Sequence, residues 1–416
     1  MSRVVVIGAG IVGLCSAREM VRRGHEVAVI DRGARDQHNC SWGNLGMIVP
    51  SHFEPLAAPG MVGYGLRMLA NPESPFGFHV PPSPALLAWA WRFWRAATSA
   101  HVERASPVLA RMHLASLDLT RDLLKELGGD FGFVEHGLLT LCKTAARLDA
   151  EAALAEHGRA FGMTVDVLDR AALREREPGV DMDVVGAVHY RNDAHLEPGL
   201  LTEALVKDLE ARGVCFHWST DALGFEQDGS DVRAVRTSAG IVEGDRFVVA
   251  GGVESEGLAA ELGVRIPLVG GKGYTMTVED PPQLPKASVI LAEARVAATP
   301  MRGAFRIGGT MEIGAGDLSV SHRRVAGIRR SFCDYFPAFS EATFAGVPVW
   351  AGRRPLTPDG LPCLGVAPRF SNCAIACGHA MMGFSLGAVS GRLVAQLLEG
   401  EPHAVPLDLF GPDRFG

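Results

Sequence analysis

The sequence predicts an α/β protein in two parts: a parallel-sheet domain assembled from separated stretches of chain, and a mainly antiparallel β domain inserted between them. Three observations lead there. A strand, glycine turn, helix and second strand fill residues 1–31, short strands crowd the middle of the chain, and α/β character returns at the tail. At 416 residues there is enough chain for two compact domains with sizeable cores.

The first unit opens with Val4-Val5-Val6-Ile7, a β-branched apolar run of the kind buried on both faces of a sheet. Gly8-Ala9-Gly10-Ile11-Val12-Gly13 follows with G-x-G-x-x-G spacing, then a helical period through Leu14, Cys15, Arg18 and Val21. Gly24 ends the helix, and Val27 to Ile30 forms a second strand running into Asp31. Each type has a physical job in holding a dinucleotide. Gly8 permits the tight turn, Gly10 lets backbone approach a pyrophosphate, and Gly13 lets helix and strand close up. The helix N-terminus offers unpaired N–H groups and a positive dipole end to the phosphates. Asp31 is placed for ribose hydroxyls, and its charge repels a 2′-phosphate. NAD and FAD both satisfy this unit.

Composition removes several classes of function. Net charge is −7 and the pI is near 6.1, so no electrostatic grip on nucleic acid is expected. Eight cysteines form no C-x-x-C pair and read as free thiols of a reducing compartment. Cys373, Cys377 and His379 are read as strand and loop, and no metal is expected. The N-terminus enters a core strand without a cleavable leader, and no apolar run approaches the ~20 residues of a membrane span. A cytoplasmic protein is expected, at most peripheral to the inner membrane face.

Beyond Asp31 a loop rich in glycine and amides runs from His38 to Met47 along the sheet edge where ligands collect. Residues 50–85, rich in proline and glycine, show no regular pattern. Helices are predicted over 85–98 and about 107–127. The first carries Trp89, Trp91 and Trp94 with Arg92 and Arg95, a pattern of core packing or of a membrane-surface helix. Strands are expected at 137–142, 184–190 and 214–218, with helices at 148–161 and 198–210. Further strands fall at 232–237, 240–243, 246–250, 274–278, 294–299 and 304–307. A helix over 325–336, a strand over 373–376 and a closing helix over 386–399 complete the chain. The expected division is 1–50, 190–256 and 345–416 for the nucleotide domain, and 51–189 and 257–344 for the substrate domain.

These pieces together resemble the D-amino-acid dehydrogenase branch of the FAD-dependent D-amino-acid oxidase/glycine oxidase superfamily. The likeness runs nearly end to end. It rests on the N-terminal unit with Asp31, the Ser41–Met47 loop, Ala57-Ala58-Pro59-Gly60, Lys272-Gly273-Tyr274 and Gly308-Gly309 with Glu312. It also rests on Arg354-Pro355-Leu356-Thr357-Pro358-Asp359-Gly360 and on Gly378-His379 before Gly383. The resemblance implies a Rossmann-like FAD-binding domain (GR2-type) with an inserted substrate domain, and FAD held non-covalently, because Gly352 stands near the flavin-linking cysteine of sarcosine oxidases. It implies cofactor contacts from Gly8, Gly10, Ile11, Val12, Gly13, Asp31 and Arg32. The second loop adds Ser41, Asn44, Gly46 and Met47, and the middle of the chain Ala222, Ala250, Gly251 and Gly352. Gly378, Met382, Gly383, Phe384 and Ser385 complete the set.

Hydride transfer from Cα to flavin N5 builds negative charge near N1 and C2=O, where the start of the closing helix aims its N–H groups. Arg354 is the candidate to fork the substrate carboxylate, with Arg353 as the alternative. Tyr274 could add a hydroxyl, and His379 could flank the flavin or the amine. Orientation supplies much of the acceleration, so no general base is assigned. The imino product hydrolyses to a 2-oxo acid, or stays a cyclic imine if the substrate is proline-like, and electrons pass to a quinone or an electron-transfer protein. Thr299-Pro300-Met301, Ala380-Met381-Met382 and Ser51-His52-Phe53 depart from the branch. His52 and Met301 are therefore placed at the substrate, and D-proline or cis-4-hydroxy-D-proline joins the candidate substrates. Three alternatives stay open: a glycine/sarcosine-type oxidase using O2, an NAD-dependent dehydrogenase, and an FAD-binding subunit of a hetero-oligomer. Both a monomer and an oligomer are compatible with the sequence.

Overall fold

In the computed structural model, residues 1–37, 39–68, 73–78 and 82–416 are described. His38, named above, and residues 69–72 and 79–81 of the proline-rich stretch lie outside the described residues.

The apolar run at the N-terminus forms the strand Arg3–Ile7 inside a six-stranded sheet. Its neighbours are Arg246–Val249 on one side and Glu26–Ile30 on the other, both parallel, with Val6 facing Val248 and Val29. Cys215–His217 continues the sheet beyond Glu26–Ile30, and Phe370–Cys377 lies beyond Arg246–Val249. Cys363–Ala367 turns antiparallel at the edge. The chain leaves and re-enters this sheet, so distant stretches meet in one core.

On one face lie the helices Ile11–Arg22, Pro198–Ala211 and Gly387–Glu399. The long helix Ser99–Leu127 closes over them through Leu109, Met112 and Leu117. It starts eight residues before the expected Pro107. Thr98 Oγ1 caps it by accepting from His101 N at 3.2 Å, and Pro107 is tolerated on the exposed side.

Among the described residues the second sheet has nine strands and is mainly antiparallel. Val349–Leu356 stands at its edge beside Val269–Glu279, followed by Ala304–Ile313 and Val296–Met301. Proline and two arginines hide the edge strand from sequence patterning, yet an edge accepts Pro355, whose carbonyl takes Ala380 N at 2.9 Å while no strand ladder needs its missing N–H. This pairing corrects the expected division, since residues 349–356 belong to the second sheet rather than to a nucleotide piece beginning at 345.

Residues 50–85 also differ from the expectation: Met61–Met68 is a helix and Phe76–Phe78 a short strand. Two glycines within the helix weaken its local signal. Strands Val165–Asp169, Ala222–Asp228 and Ser288–Leu291 and the helix Arg170–Arg176 were likewise not foreseen.

The tryptophan helix Pro84–Ala96 divides its roles. Trp89 is buried, stacks on Phe93 at 5.2 Å and donates Nε1–H to Leu356 O at 3.1 Å. Trp91 and Trp94 are 52% and 61% exposed, so only the first is core. Trp89→Ala is expected to cost about 3–5 kcal/mol in urea unfolding. A loss below about 1 kcal/mol would mean the site collapses without a cavity.

Candidate active site

The glycine turn is built as a dinucleotide cradle. Gly8 has φ +110°, and a Cβ on Gly13 would stand 1.8 Å from Gly8 O, so only glycine lets helix and turn close. A Cβ on Gly10 would meet only Ser41 Oγ, at 3.4 Å. The protein leaves that space free, which suits a pyrophosphate laid on the backbone. Asp31 ties the turn together: Oδ2 accepts from Ala9 N at 2.6 Å and Oδ1 from Gly33 N at 2.7 Å. Ser41 Oγ accepts from Ile11 N at 2.9 Å, joining the second loop to the helix start.

A cavity of about 1120 Å³ runs from this cradle to the second sheet. Gly8, Gly10, Ile11, Val12, Asp31 and Arg32 line its nucleotide end, with Ala250 and Gly251 beside Gly8 and Ala222 also in the wall. Ser41, Asn44 and Met47 line its middle. Gly352, Met382, Gly383 and Phe384 reach it from the tail. Four other candidates support the wall without lining it. Gly13 lies under the turn. Gly46, at φ +72°, faces Leu196 O, and Gly378, at φ +74°, faces Thr357. Ser385 Oγ accepts from Val49 N at 3.0 Å and lies 3.1 Å from His113 Nδ1. The size, the open backbone at Gly10 and the positive end of the helix dipole beside it fit an extended dinucleotide with a ring system at the inter-sheet end.

Two neighbouring arginines at that end have different fates. Arg353 is committed, with Nη2 2.6 Å from Glu254 Oε1 and Nη1 donating to Gly316 O. Arg354 lines the cavity and donates Nη1–H to Thr310 O at 2.8 Å, but among the described residues no carboxylate pairs with it. Burial pulls its guanidinium below the usual value, so an anion arriving there gains a charge that water does not satisfy. Two features make room for it. Gly273 leaves the space a Cβ would take, 2.2 Å from Arg354 Nη1. Thr310, at φ +71°, sits at a break in strand register that turns its carbonyl toward the guanidinium.

Tyr274 is a correction. Strand alternation sends Gly273 and Thr275 to the cavity and Tyr274 to the opposite face. There its hydroxyl hydrogen-bonds Glu312 and accepts from Ser321 N at 3.2 Å within the substrate-domain core. Met301 is a second correction: it pairs with Ala304 beside the hairpin turn, and the cavity takes Arg295, Val296 and Ala297 from the other end of that strand. His379 does line the cavity, with Nε2 2.9 Å from Ser390 Oγ, and burial pushes its imidazolium down to about 4. His52 lines it too, and burial pushes it to about 4 as well.

Sequence reasoning missed the residues that hold the second loop. Arg306 donates Nη1–H to Trp42 O at 3.1 Å and Asn44 O at 3.0 Å, and its guanidinium lies 5.3 Å from the Trp42 ring centre. Asn39 Oδ1 accepts from Ser41 N and Trp42 N. Asn39 acts locally, as an Asx turn within the loop, whereas Arg306 reaches it from more than 260 residues away and only the tertiary contact reveals its role.

A glycine cradle on a parallel sheet, opening to a second β domain across one cavity, defines a two-domain dinucleotide-binding protein. Comparison makes this specific. Residues 3–397 match the FAD dependent oxidoreductase family, and the chain belongs to it. FAD is therefore the dinucleotide. The chain is 31% identical over 407 residues to the D-amino acid dehydrogenase of Granulibacter bethesdensis, covering 96% of each. It is 30% identical over 421 residues to that of Bradyrhizobium diazoefficiens, covering 99% of each. Among solved structures, glycine oxidase from Geobacillus kaustophilus has a TM-score of 0.79 at 24% identity, covering 100% of this chain and 99% of that one. L-proline dehydrogenase from P. horikoshii has a TM-score of 0.73 at 21% identity, covering 100% and 97%. These two show likeness of fold.

Proposed function

We propose that the protein dehydrogenates D-amino acids, D-proline and cis-4-hydroxy-D-proline among the candidates, and passes the electrons to a quinone or an electron-transfer protein. The carrying observation is Arg354, a cavity guanidinium without a carboxylate partner among the described residues. The full-length likeness to D-amino acid dehydrogenases supports the choice of substrate class.

FAD, when bound, supplies the acceptor for the Cα hydride. Arg354 would fork the substrate carboxylate and so fix the direction of Cα–H. His379, neutral and hydrogen-bonded to Ser390, would shape the wall without adding charge. Met382 and Phe384 would exclude water from the reacting centre. The pieces 1–50, 190–256 and 357–416 would carry FAD and the rest the substrate. Gly352 offers no thiol for a covalent link. Turnover of a D- and L-amino-acid panel, with both hydroxyproline epimers, should need a dye or quinone. Oxygen consumption equal to turnover would identify an oxidase instead.

Acceptor access suggests peripheral membrane attachment. Among the described residues no helix is long and apolar enough to cross a membrane. Leu87, Trp91 and Trp94 are exposed on the tryptophan helix, and Arg95 lies 4.9 Å over the Trp91 ring. Such a surface suits the interface of a bilayer. Trp91→Ser with Trp94→Ser is expected to weaken vesicle co-sedimentation at least about tenfold. Unchanged sedimentation would remove this surface from the proposal.

A further inference from the structure

A chain of hydrogen bonds leads from the cavity to a buried carboxylate. Asp193 is fully buried, and among the described residues no cation pairs with it. Both its oxygens are held by Ser51: Oδ1 accepts from Ser51 N at 3.0 Å, and Oδ2 accepts the Ser51 hydroxyl proton. On its other side Ser51 Oγ lies 3.1 Å from His52 Nδ1. Because Ser51 gives its own proton to Asp193, it can only accept from His52. Nδ1 therefore carries the histidine proton, and Nε2 keeps its lone pair on a residue that lines the cavity.

We propose that His52, Ser51 and Asp193 form a relay that takes the proton from the substrate amine before hydride leaves Cα. This rests on the reading of the substrate as an amino acid. His52 is the group that touches substrate; Ser51 and Asp193 are positioning residues. An amino acid arrives as an ammonium, whose nitrogen has no lone pair to assist loss of hydride. In the relay step one ammonium N–H bond breaks and its proton joins His52 Nε2. The Nδ1 proton passes to Ser51 Oγ, and the Ser51 hydroxyl proton passes to Asp193 Oδ2. The amine regains its lone pair, the imidazole ends neutral in the other tautomer, and Asp193 ends as the neutral acid. No electron leaves the system.

Burial favours this distribution of the proton. It pushes the His52 imidazolium down to about 4 and the Asp193 carboxyl up to about 7. A proton in the relay thus rests on Asp193 and no buried imidazolium persists. The groups acting on the relay come from several elements. Arg295, at the start of its strand, adds to the pressure against a charged His52. On the long helix His113 is itself pushed down to about 3, and Tyr190, near Asp193, is held above its usual value, so both are neutral at pH 7. Glu54 and Glu151 act on Tyr190. The sign follows from the raised Asp193: the relay accepts while Asp193 is ionised, above about pH 7, and fails as pH falls through that value.

The test is anaerobic flavin reduction at limiting substrate, followed against pH in the holoenzyme. The wild-type rate should rise through about pH 7. Ser51→Ala and His52→Gln should slow it about 100-fold at pH 7 and recover at alkaline pH, where solution supplies neutral amine. Equal slowing at every pH marks a structural role and overturns the proposal, as does a wild-type profile in both variants. A second readout needs no turnover. Nitrogen-15 histidine spectra of the holoenzyme should show His52 switching from the Nδ1–H to the Nε2–H tautomer as Asp193 protonates, and Asp193→Asn should abolish the switch. A fixed tautomer overturns the relay. If no amino acid reduces the flavin, the substrate reading fails while these spectra still decide the relay.

Discussion

Arg354→Ala raises the substrate concentration for half-maximal flavin reduction by about 100- to 1000-fold, the expected loss of one desolvated charge pair. The reasoning starts from what Arg354 lacks. Its neighbour Arg353 is satisfied by Glu254, whereas Arg354 donates to the Thr310 carbonyl and among the described residues pairs with no carboxylate. A guanidinium in that state gains more from a carboxylate than a solvated one would, since little water need be displaced. Arg354→Lys should recover only part of the effect, because a point charge cannot match both carboxylate oxygens. FAD content should stay unchanged in both variants. A Michaelis constant within twofold of wild type for every carboxylate substrate would remove Arg354 from this role.

Gly13→Ala should give protein that binds FAD about 100-fold more weakly, purifying largely colourless. The new methyl would stand 1.8 Å from Gly8 O, so the helix must move off the turn that presents its N–H groups. Moving it also breaks the Ser41–Ile11 tie, and the phosphate cradle opens. Gly24→Ala is the matched control. Gly24 has φ +80° but open space around it, so only stability should suffer, by about 1 kcal/mol. Equal FAD content in the two variants would contradict the cradle.

What could be read from sequence had a short-range cause. The first strand, the glycine turn and Asp31 are contiguous, and their periodicities and φ demands are written in neighbouring residues. The edge strand Val349–Leu356 is the opposite case. Its composition argues against a strand, and it exists because Val269–Glu279 offers a partner from about eighty residues away in sequence. Tyr274 was misplaced for a related reason: a tyrosine beside a cavity-lining glycine looks functional until the face it occupies is known. Met301 failed on distance along a strand. Ser51 and Asp193, separated by 142 positions, have no sequence signal of their joint role.

The most direct test of the central claim, that a flavin and an Arg354-held carboxylate share this cavity, is anaerobic mixing of the yellow holoenzyme with D-proline or D-alanine and with their L-enantiomers. Bleaching by a D-enantiomer, slowed several-fold by deuterium at Cα and abolished at low substrate in Arg354→Ala, is the predicted result. A flavin that stays oxidised with every D-amino acid, or bleaches equally well without Arg354, would contradict it.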